Sequence, residues 1–200
     1  MSATRLGYQV VGIDPAIDAV RAARRVARQL GVNVQYVVGD ARYLPFRAKS
    51  FDVLHSYSVL MHFAKEDAIR SVREMARTLK PNGTTLISMA NTFGLRNLQI
   101  QLMRGFCSSL DRSSFATRYW TPRELRRMFT EIIGPSNLEI EGFFSTSSGS
   151  QSIMALPIKY RLALTLSSQL RNLGLVLPAL KYVADSLYVR STRKSDQPEG

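Results

Sequence analysis

The stretch Val34–Tyr57, VQYVVGDARYLPFRAKSFDVLHSY, decides the interpretation of the fold. It contains an apolar run, Val34–Val38, and a further predicted strand, Phe51–Tyr57. An apolar run such as the first is typical of a strand that a parallel sheet buries on both faces. Gly39-Asp40 ends the first run with a turn signal. The stretch therefore predicts two consecutive strands of a parallel sheet.

Strands and helices alternate on both sides of this stretch. Upstream, we expect a strand over Tyr8–Ile13, which Asp14-Pro15 ends, and a helix from Ala16 that Gly31 closes as a C-terminal cap. Downstream, the pattern predicts a helix over Ala68–Leu79, a turn at Pro81–Gly83 and a strand over Thr84–Ala90. This alternation favours an α/β fold with a mostly parallel sheet.

The second half of the sequence is less regular. Thr121 and Glu124 form a capping box with Pro122 at the first helical position, so a helix is expected to run from there to Ile132. The remaining expectations are a mixture of helix and loop over Asn91–Tyr119, a strand over Leu138–Ser145, a polar loop over Ser145–Ser152, leucine-rich helices over Ile158–Ala184 broken near Gly174 and Pro178, and a final edge strand over Ser186–Thr192.

Length and composition limit the number of domains and the class of protein. The 200 residues suit one domain over 1–193, with a helical lid or insertion at 153–184 and a disordered tail at 194–200. The net charge of +12 attracts anions, but the basic residues are spread along the whole chain and name no function. The one cysteine, Cys107, excludes an internal disulfide. No run reaches the roughly 18 apolar residues of a membrane span, so we expect a cytoplasmic protein, at most peripheral to a membrane.

Polar residues at the strand ends are the first candidates for a binding site, because ligands of open parallel sheets bind there. A carboxylate at Asp14 can accept hydrogen bonds from both hydroxyls of a ribose, although the same aspartate can instead cap the following helix. Asp40 can accept from an exocyclic amine of adenine or serve only as a turn residue. His55 and Ser56 lie at the end of the next strand.

Four segments in this order resemble consecutive parts of the class I S-adenosylmethionine-dependent methyltransferases, and in particular the group of quinone, sterol and other small-molecule methyltransferases. The segments are GYQVVGID, VVGDARYLPF, SFDVLHSYSVLMHF and LKPNGTTLISMAN, and they cover about residues 3–92. The resemblance implies a Rossmann-like fold, S-adenosylmethionine as the cofactor and methyl transfer to a small acceptor.

The resemblance also implies roles for individual residues. Asp14 corresponds to the acid that binds the ribose hydroxyls, and Asp40 to the acid that meets the adenine amine. The other implied cofactor contacts are Pro15 and Ala16 against the adenine, Ala41 through its backbone, Leu44 through apolar contact, and Ser56 and Tyr57 beside the methionine part. His62 falls where the family often has a histidine near cofactor or substrate, which makes it a weak candidate for catalysis.

One expected part of the family pattern is absent from this sequence. The family opens with a strand and a glycine-rich loop, whose backbone approaches the cofactor at a helix N-terminus. Nothing in Met1–Leu6 supplies that loop. We therefore expect a fold without the first strand and glycine-rich loop, truncated at its N-terminus, and we favour a start codon placed too late over a genuine fragment or a partner chain that fills the gap.

The chemistry depends chiefly on alignment of the acceptor with an already activated methyl group. An oxygen or nitrogen acceptor needs a base, for which His62, His55 and Tyr57 are nearby, whereas a carbon acceptor on an electron-rich ring needs none. The leucine-rich segment 153–184 is interpreted either as core packing or as an apolar lid and membrane-surface contact for a lipid-like acceptor.

Three alternatives stay open. The charge suggests a nucleic-acid methyltransferase, although we do not expect nucleic acid as a partner because the sequence has no basic module with interleaved aromatics. The missing glycine-rich loop suggests a non-catalytic remnant or partner subunit of a methyltransferase. A nicotinamide-dependent dehydrogenase also places an acid after its second strand. We expect no metal, because two histidines and one cysteine are unsuitably spaced.

Overall fold

The computed structural model describes residues 3–103, 116–144 and 158–195. The chain divides into two compact units, Met1–Arg47 and Ala48–Gly200. The predicted single domain over 1–193 stays a prediction about how the chain folds. The predicted loop at Ser145–Ser152 and most of the tail at 194–200 lie outside the described residues.

The first unit is a strand–helix–strand arrangement. Strand β1, Val10–Asp14, pairs in parallel with β2, Val34–Val38, and helix α1, Ile17–Gln29, connects them. The prediction for β2 is confirmed at both ends. Gly31 follows the helix with φ +63°, a left-handed conformation that glycine adopts without steric cost, as the predicted cap requires.

The inward face of α1 is narrow. Val20 and Ala27 are buried, whereas Leu30 is 58% exposed. Leu30 lies at the C-cap, after the last helical turn, and its side chain therefore does not continue the buried stripe.

The second unit is built on a four-stranded mixed sheet. Its strands are β3, Phe51–Ser56, β4, Leu79–Ala90, β5, Ser136–Gly142, and β6, Ser186–Thr192, in the order β3-β4-β6-β5. The β3–β4 ladder is parallel, and β6 is antiparallel to both of its neighbours. The predicted strand over Ser186–Thr192 has the correct bounds, but the prediction that it lies at the edge of the sheet is wrong.

The burial of β6 explains this correction. Leu187, Val189 and Ser191 are all fully buried on one face of the strand, and both neighbouring strands hydrogen-bond to it. Alternation in a sequence indicates that one face is buried, but it does not reveal how many strands pair with the run.

Helices cover the buried face of this sheet. They are α2, Lys65–Thr78, which connects β3 to β4, and α4, Pro122–Ile132. Leu125 and Phe129 of α4 are fully buried, as are Ile87 and Met89 of β4. The capping box is confirmed, because Thr121 Oγ1 accepts from Glu124 N at 3.2 Å and Glu124 Oε2 accepts from Thr121 N at 2.8 Å.

Two predicted chain breaks are absent from the structure. Pro81–Gly83 lies within β4, where Asn82 has φ +61° and the register with β3 shifts, so the turn signal marks an irregularity within a longer strand. Helix α5, Ile158–Val176, continues through Gly174 and ends before a short 3-10 turn at Pro178–Tyr182. A Cβ at Gly174 would collide with Ile140 of β5, so this glycine permits close packing.

The last described elements are a short 3-10 turn at Leu60–His62 and helix α3, Leu95–Met103, which follows β4. Within residues 3–103, 116–144 and 158–195, no helix combines the length and apolar content that a membrane-spanning helix needs. The same ranges hold no group of three or more metal-ligating side chains placed to bind an ion.

Candidate active site

The two candidate aspartates of the first unit lie at adjacent strand tips. Asp14 is the last residue of β1 and pairs with Val38, the last residue of β2. The Asp14 carbonyl accepts a hydrogen bond from Gly39 N at 3.1 Å, and Asp40 follows directly. The parallel register therefore brings the Asp14 and Asp40 turns to the same end of the β1–β2 ladder, as the sequence predicts for one shared ligand.

Asp14 combines a structural role with an exposed carboxylate. Its Oδ1 accepts from Ala16 N at 2.8 Å, which orders the strand-to-helix turn around Pro15. The N-cap position of α1 is held by Ala16, so Asp14 stabilises the turn before the helix without capping it. Within the described residues 3–47, the Ala16 amide is the hydrogen-bond donor to the Asp14 carboxylate. The side chain is exposed, and its remaining lone pairs can accept hydrogen bonds from two vicinal hydroxyls.

Asp40 is held in place by Arg42. Its carboxylate accepts from Arg42 N at 2.8 Å and from Arg42 Nη2 at 2.6 Å. The hydrogen bond from the Arg42 side chain lowers the pKa of Asp40 against the opposing effect of burial, so the group is charged at neutral pH. Its side chain is 31% exposed. A charged, partly exposed carboxylate fixed at a turn suits an amine donor such as that of adenine.

The other predicted cofactor contacts in the first unit fall on these two turns. Pro15 and Ala16 are exposed. Ala41 lies inside the tight turn that Tyr43 N closes on the Asp40 carbonyl at 3.0 Å. Leu44 is only 8% exposed and contributes to the apolar interior, which limits the surface it can offer a ligand.

The second unit contains a cavity of about 280 Å³ beyond the end of β3. This volume is close to the lower limit of about 300 Å³ that small-molecule sites usually have. Tyr57 lines the cavity. The cavity is also lined by Met61, Arg96, Ile100, Tyr119 and Glu141. We call this space the Glu141 cavity.

Glu141 is a functional candidate that the sequence reasoning missed. Its side chain lies at an irregularity in the β5–β6 ladder, where Ile140 pairs with Leu187 and Gly142 pairs with Ser186. Bulges of this kind redirect a side chain and are frequent beside active sites. The residue is 9% exposed, and its Oε2 accepts from Ser88 Oγ of β4 at 2.5 Å. Burial raises the pKa of Glu141, while hydrogen bonds from Ser88 and Tyr57 partly oppose that effect.

A hydrogen-bond network fixes helix α3 beside the Glu141 cavity. The fully buried Asp185, just before β6, accepts from Arg96 N at 2.8 Å and from Asn97 N at 3.1 Å. These amides belong to the first turn of α3, which leaves its N–H groups without partners inside the helix. Asn97 Nδ2 also donates to the Asp185 carbonyl at 2.7 Å. The cavity wall formed by α3 is therefore held at a fixed position.

The structure assigns His55 a packing contact. The His55 Nδ1 atom lies 2.9 Å from the Leu86 carbonyl, which can only accept, so this nitrogen carries the proton. The ring lies 6.4 Å from that of Tyr188.

His62 and Ser56 do not line the described part of the Glu141 cavity, although Met61 and Tyr57 beside them do. The His62 carbonyl accepts from Arg118 Nη1 at 2.8 Å, which ties the 3-10 turn to the segment before α4. The catalytic role of His62 and the cofactor role of Ser56 stay predictions.

Comparisons with known proteins find similarity to methyltransferases. Residues 1–87 match the family model described as a methyltransferase domain. A ubiquinone biosynthesis O-methyltransferase of Azorhizobium caulinodans is 29% identical over 137 residues, which are 68% of this chain and 49% of that protein. A probable tRNA methyltransferase 9B of Mus musculus is 36% identical over 92 residues, which are 42% of this chain and 20% of that protein. The chain spans about half the length, or less, of these curated relatives.

A solved structure shows the same fold. A SAM-dependent methyltransferase of Methanosarcina mazei is similar with a TM-score of 0.65, over 97% of this chain and 87% of that chain, at 18% sequence identity. The match over residues 1–87, the related sequences and the shared fold support a class I S-adenosylmethionine-dependent methyltransferase with S-adenosylmethionine as its cofactor.

Proposed function

We propose that this chain binds S-adenosylmethionine and takes part in methyl transfer to a small-molecule acceptor. The observation that carries the proposal is the adjacency of Asp14 and Asp40 at the tips of β1 and β2. S-adenosylmethionine supplies a methyl group already activated on a sulfonium. The residues of this chain need only bind the donor, orient the acceptor and manage one proton.

Each aspartate has a distinct proposed role toward the adenosine. Asp14 offers an exposed, charged acceptor to the ribose hydroxyls, and the Ala16 amide fixes its orientation. Asp40 is kept ionised and oriented by Arg42, so an adenine amine would add one donor to a carboxylate that is already partly satisfied. Preorganisation of this kind favours binding, because little side-chain freedom remains to be lost when the ligand arrives.

The Glu141 cavity supports a small acceptor. Its volume of about 280 Å³ suits a molecule of one or two rings, and Tyr57, Met61, Ile100 and Tyr119 give it aromatic and apolar walls. Arg96 and Glu141 add two polar groups that could orient such a molecule. A folded RNA is far larger than this space, so the relationship to a tRNA methyltransferase does not lead us to propose an RNA acceptor.

Helix α5 supports an apolar substrate delivered at a membrane surface. Leu162, Leu175 and Val176 are 66%, 83% and 76% exposed, respectively. Arg171 within the helix and Lys181 just after it add positive charge. Exposed leucines with flanking cations favour adsorption to anionic lipid, and we propose this contact for the described part of the segment 153–184.

The proposal is tested by incubating the chain with S-adenosylmethionine that carries a tritiated methyl group, together with a panel of phenols, amines and lipid-tailed phenols. We expect labelled acceptor, and S-adenosylhomocysteine formed in equal amount. Saturable binding of S-adenosylhomocysteine without transfer to any acceptor, including total tRNA, would instead support the non-catalytic alternative.

A further inference from the structure

Glu141 differs from the ordinary glutamate of an exposed strand. Glu139, two residues earlier on β5, forms a surface ion pair with Arg190 at 2.7 Å. Glu141 has hydroxyl partners instead, from Ser88 and Tyr57, and its residue is 9% exposed. A buried carboxylate is costly unless hydrogen bonds compensate its charge, and such a group at the wall of a cavity is a candidate functional residue.

We propose that Glu141 binds the hydroxyl or amine of the methyl acceptor and takes its proton, which makes the acceptor an oxygen or nitrogen nucleophile. This inference rests on the proposed function, and it identifies both a catalytic residue and a class of substrate. It excludes a carbon nucleophile that carries no acidic hydrogen-bond donor.

Geometry supports this role. Glu141 lies where the pairing of β5 with β6 becomes irregular, and its carboxylate reaches across β6 to Ser88 of β4. Glu141 also lines the cavity together with Tyr57, so the carboxyl group lies at the boundary between the buried network and the space for a ligand. A proton acceptor must lie within hydrogen-bonding reach of the group it deprotonates, and this location provides that reach.

The proton balance is simple. The O–H or N–H bond of the bound acceptor breaks, its proton goes to the Glu141 carboxylate, and the bonding electron pair stays on the oxygen or nitrogen as the nucleophile. Burial raises the pKa of Glu141, so the carboxylate is a stronger base than an exposed one. Titratable and charged groups from the elements around it would share in its pH response, namely His55, Tyr57, Arg96, Tyr119, Arg171 and Tyr188.

The test measures the binding of two probes of similar shape, phenol and toluene, to the whole chain without cofactor, by calorimetry or ligand-observed NMR across a pH series. We expect the wild-type chain to prefer phenol by at least about tenfold, the size expected of one charge-assisted hydrogen bond. Glu141→Gln should lose this preference, whereas the matched control Glu139→Gln should keep it. Retention of the preference in Glu141→Gln would overturn the inference.

A second variant keeps the inference testable if Glu141→Gln does not fold. Ser88→Ala retains the carboxylate and removes a hydrogen bond that lowers the pKa of Glu141. Phenol affinity should rise with pH as Glu141 ionises, and the midpoint of that rise should move to higher pH in Ser88→Ala. An unchanged midpoint would contradict the assignment of this proton acceptor.

The inference and the proposed function fail in different ways. If the chain discriminates phenol from toluene through Glu141 but does not bind S-adenosylhomocysteine, the proposed function fails and the Glu141 site stands. If it binds S-adenosylhomocysteine but shows no phenol preference, the inference about Glu141 fails.

Discussion

Replacement of Asp14 by asparagine should weaken S-adenosylhomocysteine binding strongly without disturbing the fold. Asparagine has nearly the same shape, and its amide oxygen can still accept the hydrogen bond that Ala16 N makes to Asp14 Oδ1 at 2.8 Å. The turn before α1 should therefore be preserved. The negative charge offered to the ribose is lost.

The magnitude follows from the difference between charged and neutral hydrogen bonds. A hydrogen bond to a charged group contributes about 1.5–3 kcal/mol, against about 0.5–1.5 kcal/mol for a neutral one. Two ribose hydroxyls on one carboxylate would therefore lose about 2–3 kcal/mol together. We expect the dissociation constant to rise by roughly 30- to 150-fold, since each 1.4 kcal/mol is tenfold.

Isothermal titration calorimetry with S-adenosylhomocysteine measures this change directly. Asp18→Asn is the matched control, because Asp18 is an exposed acid in the first turn of α1 and forms a surface ion pair with Arg21 at 3.2 Å. It should bind like the wild type. If Asp14→Asn binds within about threefold of a wild type that itself binds, the ribose role of Asp14 is refuted.

Three further predictions concern stability and surface contacts. Burial raises the pKa of Glu124, but hydrogen bonds, including one from Lys65, outweigh this effect and lower the pKa. Glu124→Gln should therefore reduce the stability against urea above about pH 5. The destabilisation should disappear as the pH falls through the pKa of Glu124 in the folded protein. Gly94→Ala should destabilise the fold by about 1–3 kcal/mol in urea unfolding, because the added Cβ would lie 2.5 Å from Asp185 Cα. Leu175→Gln should weaken sedimentation with phosphatidylglycerol-rich vesicles, since Leu175 is 83% exposed on α5.

Each of these predictions has a result that contradicts it. A destabilisation by Glu124→Gln that is constant down to pH 3 would show that its charge is irrelevant. Wild-type stability in Gly94→Ala would mean that α3 and Asp185 can separate easily. Equal sedimentation with neutral phosphatidylcholine vesicles, or no effect of Leu175→Gln, would remove the proposed membrane contact.

Local signals in the sequence predicted much of the fold. The apolar run of β2, the capping box of Thr121 and Glu124, and the cap at Gly31 each depend on residues within a few positions of one another. The physical cause of each feature lies in neighbouring residues, so a single sequence is enough to predict it. The adjacency of Asp14 and Asp40 also followed, because parallel strands on either side of one helix end at the same edge.

Contacts between distant segments could not be predicted in this way. In the sequence, Glu139 and Glu141 alternate with Leu138 and Ile140, a pattern typical of two outward-facing glutamates on one strand. In the structure Glu141 is buried, with hydrogen bonds from Ser88 and Tyr57, at the point where the pairing with β6 becomes irregular. Asp185 likewise satisfies the first turn of α3 from a position 89 residues away from Arg96. No local sequence pattern predicts either contact.

The most direct test of the cofactor site is a titration of the ¹⁵N-labelled chain with S-adenosylhomocysteine, followed by ¹H–¹⁵N NMR. If the tips of β1 and β2 hold the adenosine, saturable shifts should appear at the amides of Asp14 and Ala16 and at those of Asp40–Tyr43. Saturable binding that leaves both of these turns unshifted would contradict the account.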